Sequence, residues 1–145
     1  EVRRASLSRP APEAVRKSPP RRAAQFLRPV NGPVISSYGP KKGGLHNDGI
    51  NIRAPKGTPV KAAENGVVVY AGNELRGSGN LILIRHDGRY MSAYAHLDNI
   101  SIKRGQQVGR GDVIGTVGAT GSVSEPQLHF EIRKGTAAKD PKTYL

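Results

Sequence analysis

The stretch Gln127-Leu128-His129-Phe130-Glu131-Ile132-Arg133 alternates polar and apolar residues without a break. A strand has a side-chain period of two, so Leu128, Phe130 and Ile132 share one face and Gln127, His129, Glu131 and Arg133 share the other. Upstream, Met91 to Leu97 reads MSAYAHL, and the same period sets Met91, Ala93, Ala95 and Leu97 against Tyr90, Ser92, Tyr94 and His96. With both strands in one half-exposed sheet, His96, Tyr94, Gln127 and His129 are expected to meet on an open polar floor.

Composition agrees with a strand-rich chain. Its 145 residues suit one domain, and 18 Gly and 11 Pro with no Trp favour short strands and turns over a helical bundle. Cysteine is absent, which excludes a disulfide framework and any thiolate metal site. No apolar run has the length of a membrane span, and no transmembrane segment is expected. Glu1 opens the sequence without a signal-like segment, so the chain reads as a fragment, or a mature portion, of something longer.

The net charge of +12 divides unevenly. Residues 1–25 hold seven Lys/Arg against two Glu, about +5, leaving about +7 for the remainder. That arm has no aromatic side chain on which bases could stack, so nucleic acid is not an expected partner. Pro10, Pro12, Pro19 and Pro20 interrupt any helical period. Residues 1–25 are therefore read as a basic linker or arm, and residues 26–145 as the folded domain.

Within that domain almost every element reads as a short strand: Val34 to Tyr38, Gly49 to Ile52, Val60 to Ala62, Val67 to Ala71, Leu81 to Arg85 and Tyr90 to Leu97. Asn65-Gly66 and Asp87-Gly88 are expected as tight hairpin turns, and Leu81 to Arg85 as a strand buried on both faces. An internal echo joins Gly57-Thr58-Pro59-Val60 plus Asn65-Gly66-Val67-Val68 to Gly105-Gln106-Gln107-Val108 plus Gly111-Asp112-Val113-Ile114. Biotinyl and lipoyl carriers are built from such units, but neither hairpin tip has the Lys a carrier needs. The fold expected is all-β, with small antiparallel sheets packed as a β-sandwich and a groove over one sheet.

The series HNDGINIRAPKGTPVKAAENGVVVYAG, LILIRHDGRYMSAYAHL, KRGQQVGRGDVIGTVGATG and QLHFEIR, across residues 26–145, resembles the LytM-type, lysostaphin-like zinc metallopeptidases. That resemblance implies cleavage of peptidoglycan cross-links by a zinc held by a His, an Asp four residues later and the second His of a His-x-His pair. The first His of the pair and the His of a Tyr-x-His-Leu strand would serve the water and the transition state. Anchored on Gly49-Ile50, the carry-over puts Asn47 at the first ligand and Asn51 at the Asp, while Gln127 replaces the first His of the pair. His129 alone remains of the ligands, and His96, in Tyr94-Ala95-His96-Leu97, alone of the two catalytic histidines. A neutral carboxamide is a poor zinc ligand and Gln127 cannot carry a proton near neutral pH, so no cofactor and no hydrolytic activity are expected. His46 could replace Asn47 only if the loop shifted, since period places it with Asp48 on the face of Ile50 and Ile52. His86 is read as structural.

The resemblance is to catalytically degenerate members of that family, cell-division regulators of the NlpD, EnvC and DipM kind. It implies a periplasmic protein that binds and activates peptidoglycan hydrolases, chiefly N-acetylmuramoyl-L-alanine amidases. A passive peptidoglycan-binding module and an active zinc endopeptidase with another ligand set are the alternatives. The expected binding groove comprises Asn47, Asn51, Tyr94, His96, Gln127, His129, Arg53 and Arg133, with Lys41, Lys42 and Arg85 on its basic rims.

Overall fold

A computed structural model of the protein describes residues 18–145. Among these the regular elements are strands: β1 (Val34–Ser36), β2 (Gly39–Pro40), β3 (His46–Asn47), β4 (Ile50–Arg53), β5 (Pro59–Lys61), β6 (Gly66–Gly72), β7 (Asn80–His86), β8 (Tyr90–Ile100), β9 (Gln107–Val108), β10 (Val113–Val117), β11 (Gln127–Lys134) and β12 (Ala137–Lys139), with three single-turn 3-10 segments between them. The main antiparallel sheet runs β1-β4-β11-β8-β7-β6-β9. The eleven-residue β8 links two layers. Its first half lies between β11 and β7, and its second half pairs with β10, which in turn pairs with β5. Ile50, Ile52, Ile82, Ile84, Phe130 and Ile132 from the main sheet are buried with Val60, Ile114 and Val117 from the β5–β10 layer, forming one core.

The internal echo has a topological counterpart. β5 and β6 do not pair with each other; β5 pairs with β10 and β6 with β9, so the first strand of each repeat meets the second strand of the other. The expected Asn65-Gly66 hairpin is therefore not formed. At equivalent places, Gly57 and Gly105 have φ of 92° and 89°, a region costly for any residue with a Cβ. The β7–β8 hairpin does form, with three loop residues rather than two: Arg89 joins Asp87 and Gly88 and takes φ 67°.

β11 follows its sequence pattern and β8 reverses it. Phe130 pairs with Tyr94 and His129 with Ala95, so Tyr94 and Ser92 point into the core while Ala93 and Ala95 face outward beside His129. Tyr94 is fully buried, its ring 5.4 Å from that of Phe130, and so is withdrawn from the expected polar floor. A tyrosine ring is mostly apolar surface, and burial is favourable provided the hydroxyl finds partners. Here it finds two. The Ala63 N–H donates to the Tyr94 hydroxyl (2.9 Å), which lies 2.7 Å from Ser92 Oγ; Ser92 Oγ is 2.7 Å from His86 Nε2, and His86 Nδ1 is 2.8 Å from the Asn65 carbonyl. The carbonyl can only accept, so Nδ1 donates and Nε2 accepts from Ser92, which in turn accepts from Tyr94. Burial pushes Tyr94 up to about 12 and His86 down to about 4, so both stay neutral.

An extra residue then restores the pattern. Asn80 pairs with Leu97 but Ile82 with Tyr94, so two steps on β7 oppose three on β8. The bulge is accommodated at His96, whose φ is 67°. It turns His96 to the outer face, where its ring lies 6.1 Å from that of His129, and returns Leu97 to the core.

Residues 18–25, expected as part of a tether, are packed onto the domain. The fully buried Glu64 carboxylate accepts from the Arg22 N–H (2.7 Å), the Ala23 N–H (3.1 Å), the Asn65 N–H (2.7 Å) and Arg110 Nη1 (3.1 Å). Asn65 Nδ2 donates to the Pro20 carbonyl, and the Arg21 guanidinium lies over the rings of Phe26 and Tyr90 at 4.8 and 5.0 Å. Burial would raise the Glu64 carboxyl, but these donors outweigh it and hold it below its ordinary range. The remainder of the arm lies outside the described residues.

Two outcomes follow from this packing. His86 is neutral in the fold and titrates near 6.5 when unfolded, so its stabilising contribution is complete above pH 6.5 and is lost as pH falls toward 4. The loss is on the order of 3 kcal/mol, visible as a falling thermal midpoint by circular dichroism across that window. Deleting residues 1–25 removes two of the four donors to Glu64 and lowers stability by about 1–3 kcal/mol in urea titrations.

Candidate functional site

The outer face of the main sheet forms a groove over β4, β11 and β8. In β4, Ile50 and Ile52 point inward, so Asn51 and Arg53 point out, directly across from His129 and Gln127. Asn51 is the hub. Its Oδ1 accepts from Asn47 Nδ2 (3.1 Å) and lies 2.9 Å from His129 Nδ1, and its Nδ2 donates to Gln127 Oε1 (2.8 Å). Asn47 is itself held by Ser36 Oγ (2.8 Å) and by the Gly49 N–H, which donates to its Oδ1 (3.0 Å). Gln127 Nε2 donates more weakly to the Glu125 carbonyl at 3.3 Å.

From His129 the network continues as charge. Nε2 is 2.7 Å from Glu131 Oε2, and Glu131 Oε1 accepts from Arg133 Nε and Nη2, both at 2.8 Å. Arg133 also lies 3.6 Å from Asp48, which pairs with His46 at 3.0 Å. Burial would raise the Glu131 carboxyl, yet the bonds from His129 and Arg133 prevail and lower it. Asn51 Oδ1 and Glu131 Oε2 flank the His129 ring, one at each nitrogen.

His96 sits beside this network without joining it. Its Nδ1 donates to the Thr120 carbonyl at 2.8 Å, which leaves Nε2 with the lone pair. Burial lowers its pKa; the Thr120 bond opposes that and nearby His129 adds to it.

The family resemblance implies zinc at Asn47, Asn51 and His129, and the donor chemistry here does not fit it. The Asn51 oxygen is committed to two donors, Asn47 turns its nitrogen toward the floor, and both His129 nitrogens face acceptors. Two neutral amides supply no anionic ligand. His46 does not replace them: it is partly exposed, set edge-on to Tyr38 at 5.2 Å and bonded to Asp48, at the far end of the Arg133 link.

The structure thus brings together Asn47, Asn51, Gln127, His129 and His96, with Arg53 and Arg133 at the two ends, and removes Tyr94. Arg53 pairs with Glu125 at 3.3 Å, Lys41 bonds Ser37, and Arg85 meets Ser18 at the β7–β8 hairpin rather than the groove. What the sequence pattern missed is apolar. Leu75, Leu81, Leu83, Met91, Ala93 and Ala95 line a trough of about 310 Å³ whose opposite wall is His129, Glu131 and Arg133. The reversal of β8 hides it, because Met91, Ala93 and Ala95 read as core. The apolar residues at both parities of β7 were the available signal: Ile82 and Ile84 fill the core, while Leu81 and Leu83 line the trough.

A strand-only domain with a duplicated β unit and a cleft over β4, β11 and β8 defines the architecture of lysostaphin-like cell-wall peptidases. The chain belongs to peptidase family M23, whose pattern matches residues 45–141. It is 51% identical over 116 residues to the cell division protein DipM of Caulobacter vibrioides, covering 80% of this chain and 19% of that protein. It is 47% identical over 117 residues to the murein hydrolase activator NlpD of Salmonella dublin, covering 81% of this chain and 30% of that protein. The chain therefore spans less than a third of either relative. Among solved structures, the catalytic domain of the antimicrobial peptidase lysostaphin from Staphylococcus simulans superposes with a TM-score of 0.72 at 34% identity, over 79% of this chain and 92% of that one. Both relatives are named for division or activation rather than for peptidase activity.

The donor set yields a direct test. The dialysed wild-type chain is expected to hold far less than one zinc per molecule by elemental analysis, and Asn47→His with Asn51→Asp to bind zinc measurably by calorimetry. Restored cleavage is not expected from those two changes, since Gln127 still stands where a proton carrier would be needed.

Proposed function

We propose that this chain is a non-hydrolytic regulator in the bacterial periplasm that binds peptidoglycan hydrolases, chiefly N-acetylmuramoyl-L-alanine amidases, and activates them during cell-wall remodelling and division. The observation that carries this reading is the pairing of a self-satisfied polar floor with an open apolar trough. Asn47, Asn51, Gln127 and His129 spend their hydrogen bonds on one another, so the floor has little left with which to drive hydrolysis. Beside it, Leu75 is 57% exposed at the mouth of a trough floored by Ala93 and Ala95. Small residues beneath and leucines at the side suit aliphatic side chains of a protein better than hydroxyl-rich glycan. The names of DipM and NlpD point the same way. Activation requires that the groove bind one state of the hydrolase better than another, because only differential affinity shifts a population.

Purified chain is mixed with an N-acetylmuramoyl-L-alanine amidase and labelled sacculi, and released label is followed. Release by amidase plus chain well above amidase alone, with none from the chain by itself, is the expected result. Sacculus binding without any effect on the amidase would instead make the chain a passive peptidoglycan-binding module. Leu75→Glu alters an exposed end of one trough wall, so the fold should change by less than about 1 kcal/mol. Leu75→Glu should weaken amidase binding about tenfold or more, the effect of leaving a leucine side chain unburied.

A further inference from the structure

His96 is 6% exposed and holds a backbone conformation that suits glycine, in the middle of a strand. Strain of this kind persists where surrounding structure enforces it, and it concentrates at binding and catalytic positions. Here the enforcing contact is the Nδ1–H donated to the Thr120 carbonyl, and Thr120 is anchored in turn by its hydroxyl, which donates to the Leu97 carbonyl at 2.7 Å. The result is a ring whose tautomer and direction are both set. Its Nε2 lone pair has no donor among the described residues, although buried polar atoms in folded proteins are nearly always satisfied. The other polar groups of the floor satisfy one another, so this acceptor is the exception.

We infer that His96 Nε2 is the acceptor for an uncharged N–H or O–H of the protein segment that lies in the trough. This rests on the reading of the groove as a docking site for a hydrolase. The site is beside the trough: the His96 ring stands edge-on to His129, which forms part of the trough wall. Charge selects a neutral donor. An ammonium or guanidinium brought to this 6%-exposed ring would be desolvated and would need a counter-charge of its own. The carboxylate of the trough wall, Glu131, is already shared between His129 and Arg133. A carboxylate ligand would have no proton to offer, so an acidic side chain is excluded too. The imidazole in this role accepts a hydrogen bond and transfers no proton, which separates it from the proton-handling role that the resemblance to active peptidases implies.

The test uses the full chain labelled with 15N-histidine, an amidase that it stimulates, and soluble muropeptides as a second probe. In the free chain Nε2 should give the signal of an unprotonated ring nitrogen, and saturating amidase should move it upfield as the lone pair takes a hydrogen bond. His96→Gly removes the acceptor and suits the backbone conformation. It should weaken amidase binding about tenfold, the equivalent of one hydrogen bond of about 1.4 kcal/mol, with a thermal midpoint no lower than a few degrees below wild type. If that variant is poorly folded, His96→Asn, which tolerates positive φ but is too short to reach, takes its place. Amidase affinity within twofold of wild type in a folded variant, or an Nε2 signal unmoved by bound amidase, overturns the inference while leaving the regulatory reading standing. Should no amidase be bound, the regulatory reading fails first; a shift caused by muropeptides then assigns the donor to peptidoglycan and overturns the protein donor, as does no shift with either probe.

Discussion

A line of hydrogen bonds through the core, from the Ala63 N–H to Tyr94, Ser92, His86 and the Asn65 carbonyl, decides which face of β8 is inside. Tyr94, Ser92 and His86 each accept once and donate once in a single direction, so none can be removed without leaving a neighbour unsatisfied in a low-dielectric interior. With Tyr94 and Ser92 committed inward, Ala93 and Ala95 must face out, and the groove acquires a floor of methyl groups rather than of hydroxyls. The same line ends at the turn whose Glu64 and Asn65 hold residues 18–25. Core polarity, groove shape and the anchoring of the chain's entering segment thus share one set of bonds.

The groove answers a different requirement. In an active member of this architecture the ligand positions must leave lone pairs open toward a metal; here the carboxamide of Asn51 closes them by binding Asn47, Gln127 and His129 at once. The charged continuation through Glu131, Arg133 and Asp48 is likewise paired along its length. The polar groups of the floor are thus spent on one another, in a chain of net charge +12. On the proposed reading, recognition falls to the trough, where shape and apolar area act, and to His96 Nε2 beside it.

Much of this was legible in the sequence, and the failures are physical ones. The pattern of Gln127 to Arg133 was read correctly because Phe and Ile have no polar atom to compete with burial. Tyr94 was misplaced because its polarity resides at one end of a large apolar ring, and the partners that let the ring go inside come from Ala63 and Ser92, which no local period reveals. His96 reached the groove for a reason other than alternation: a bulge turns it there, and the extra residue shows only when β8 is laid against β7. The repeated Gly-x-x-Val units signalled duplicated strands, but reciprocal pairing between the units is a long-range property. The segment before Phe26 has the composition of a tether. Its docking depends on backbone N–H groups meeting a distant Glu64, and backbone donors are common to every sequence.

The position of that docking has a consequence for how the molecule can be used. Residues 20–23 lie against Glu64, Asn65 and Tyr90, and Ser18 bonds Arg85 at the β7–β8 hairpin. None of residues 18–25 lines the trough, whose walls come from Leu75, Leu81, Leu83, Met91, His129 and Glu131. A change that loosens the segment from Glu64 therefore acts on the stability of the fold and leaves the walls of the cleft in place.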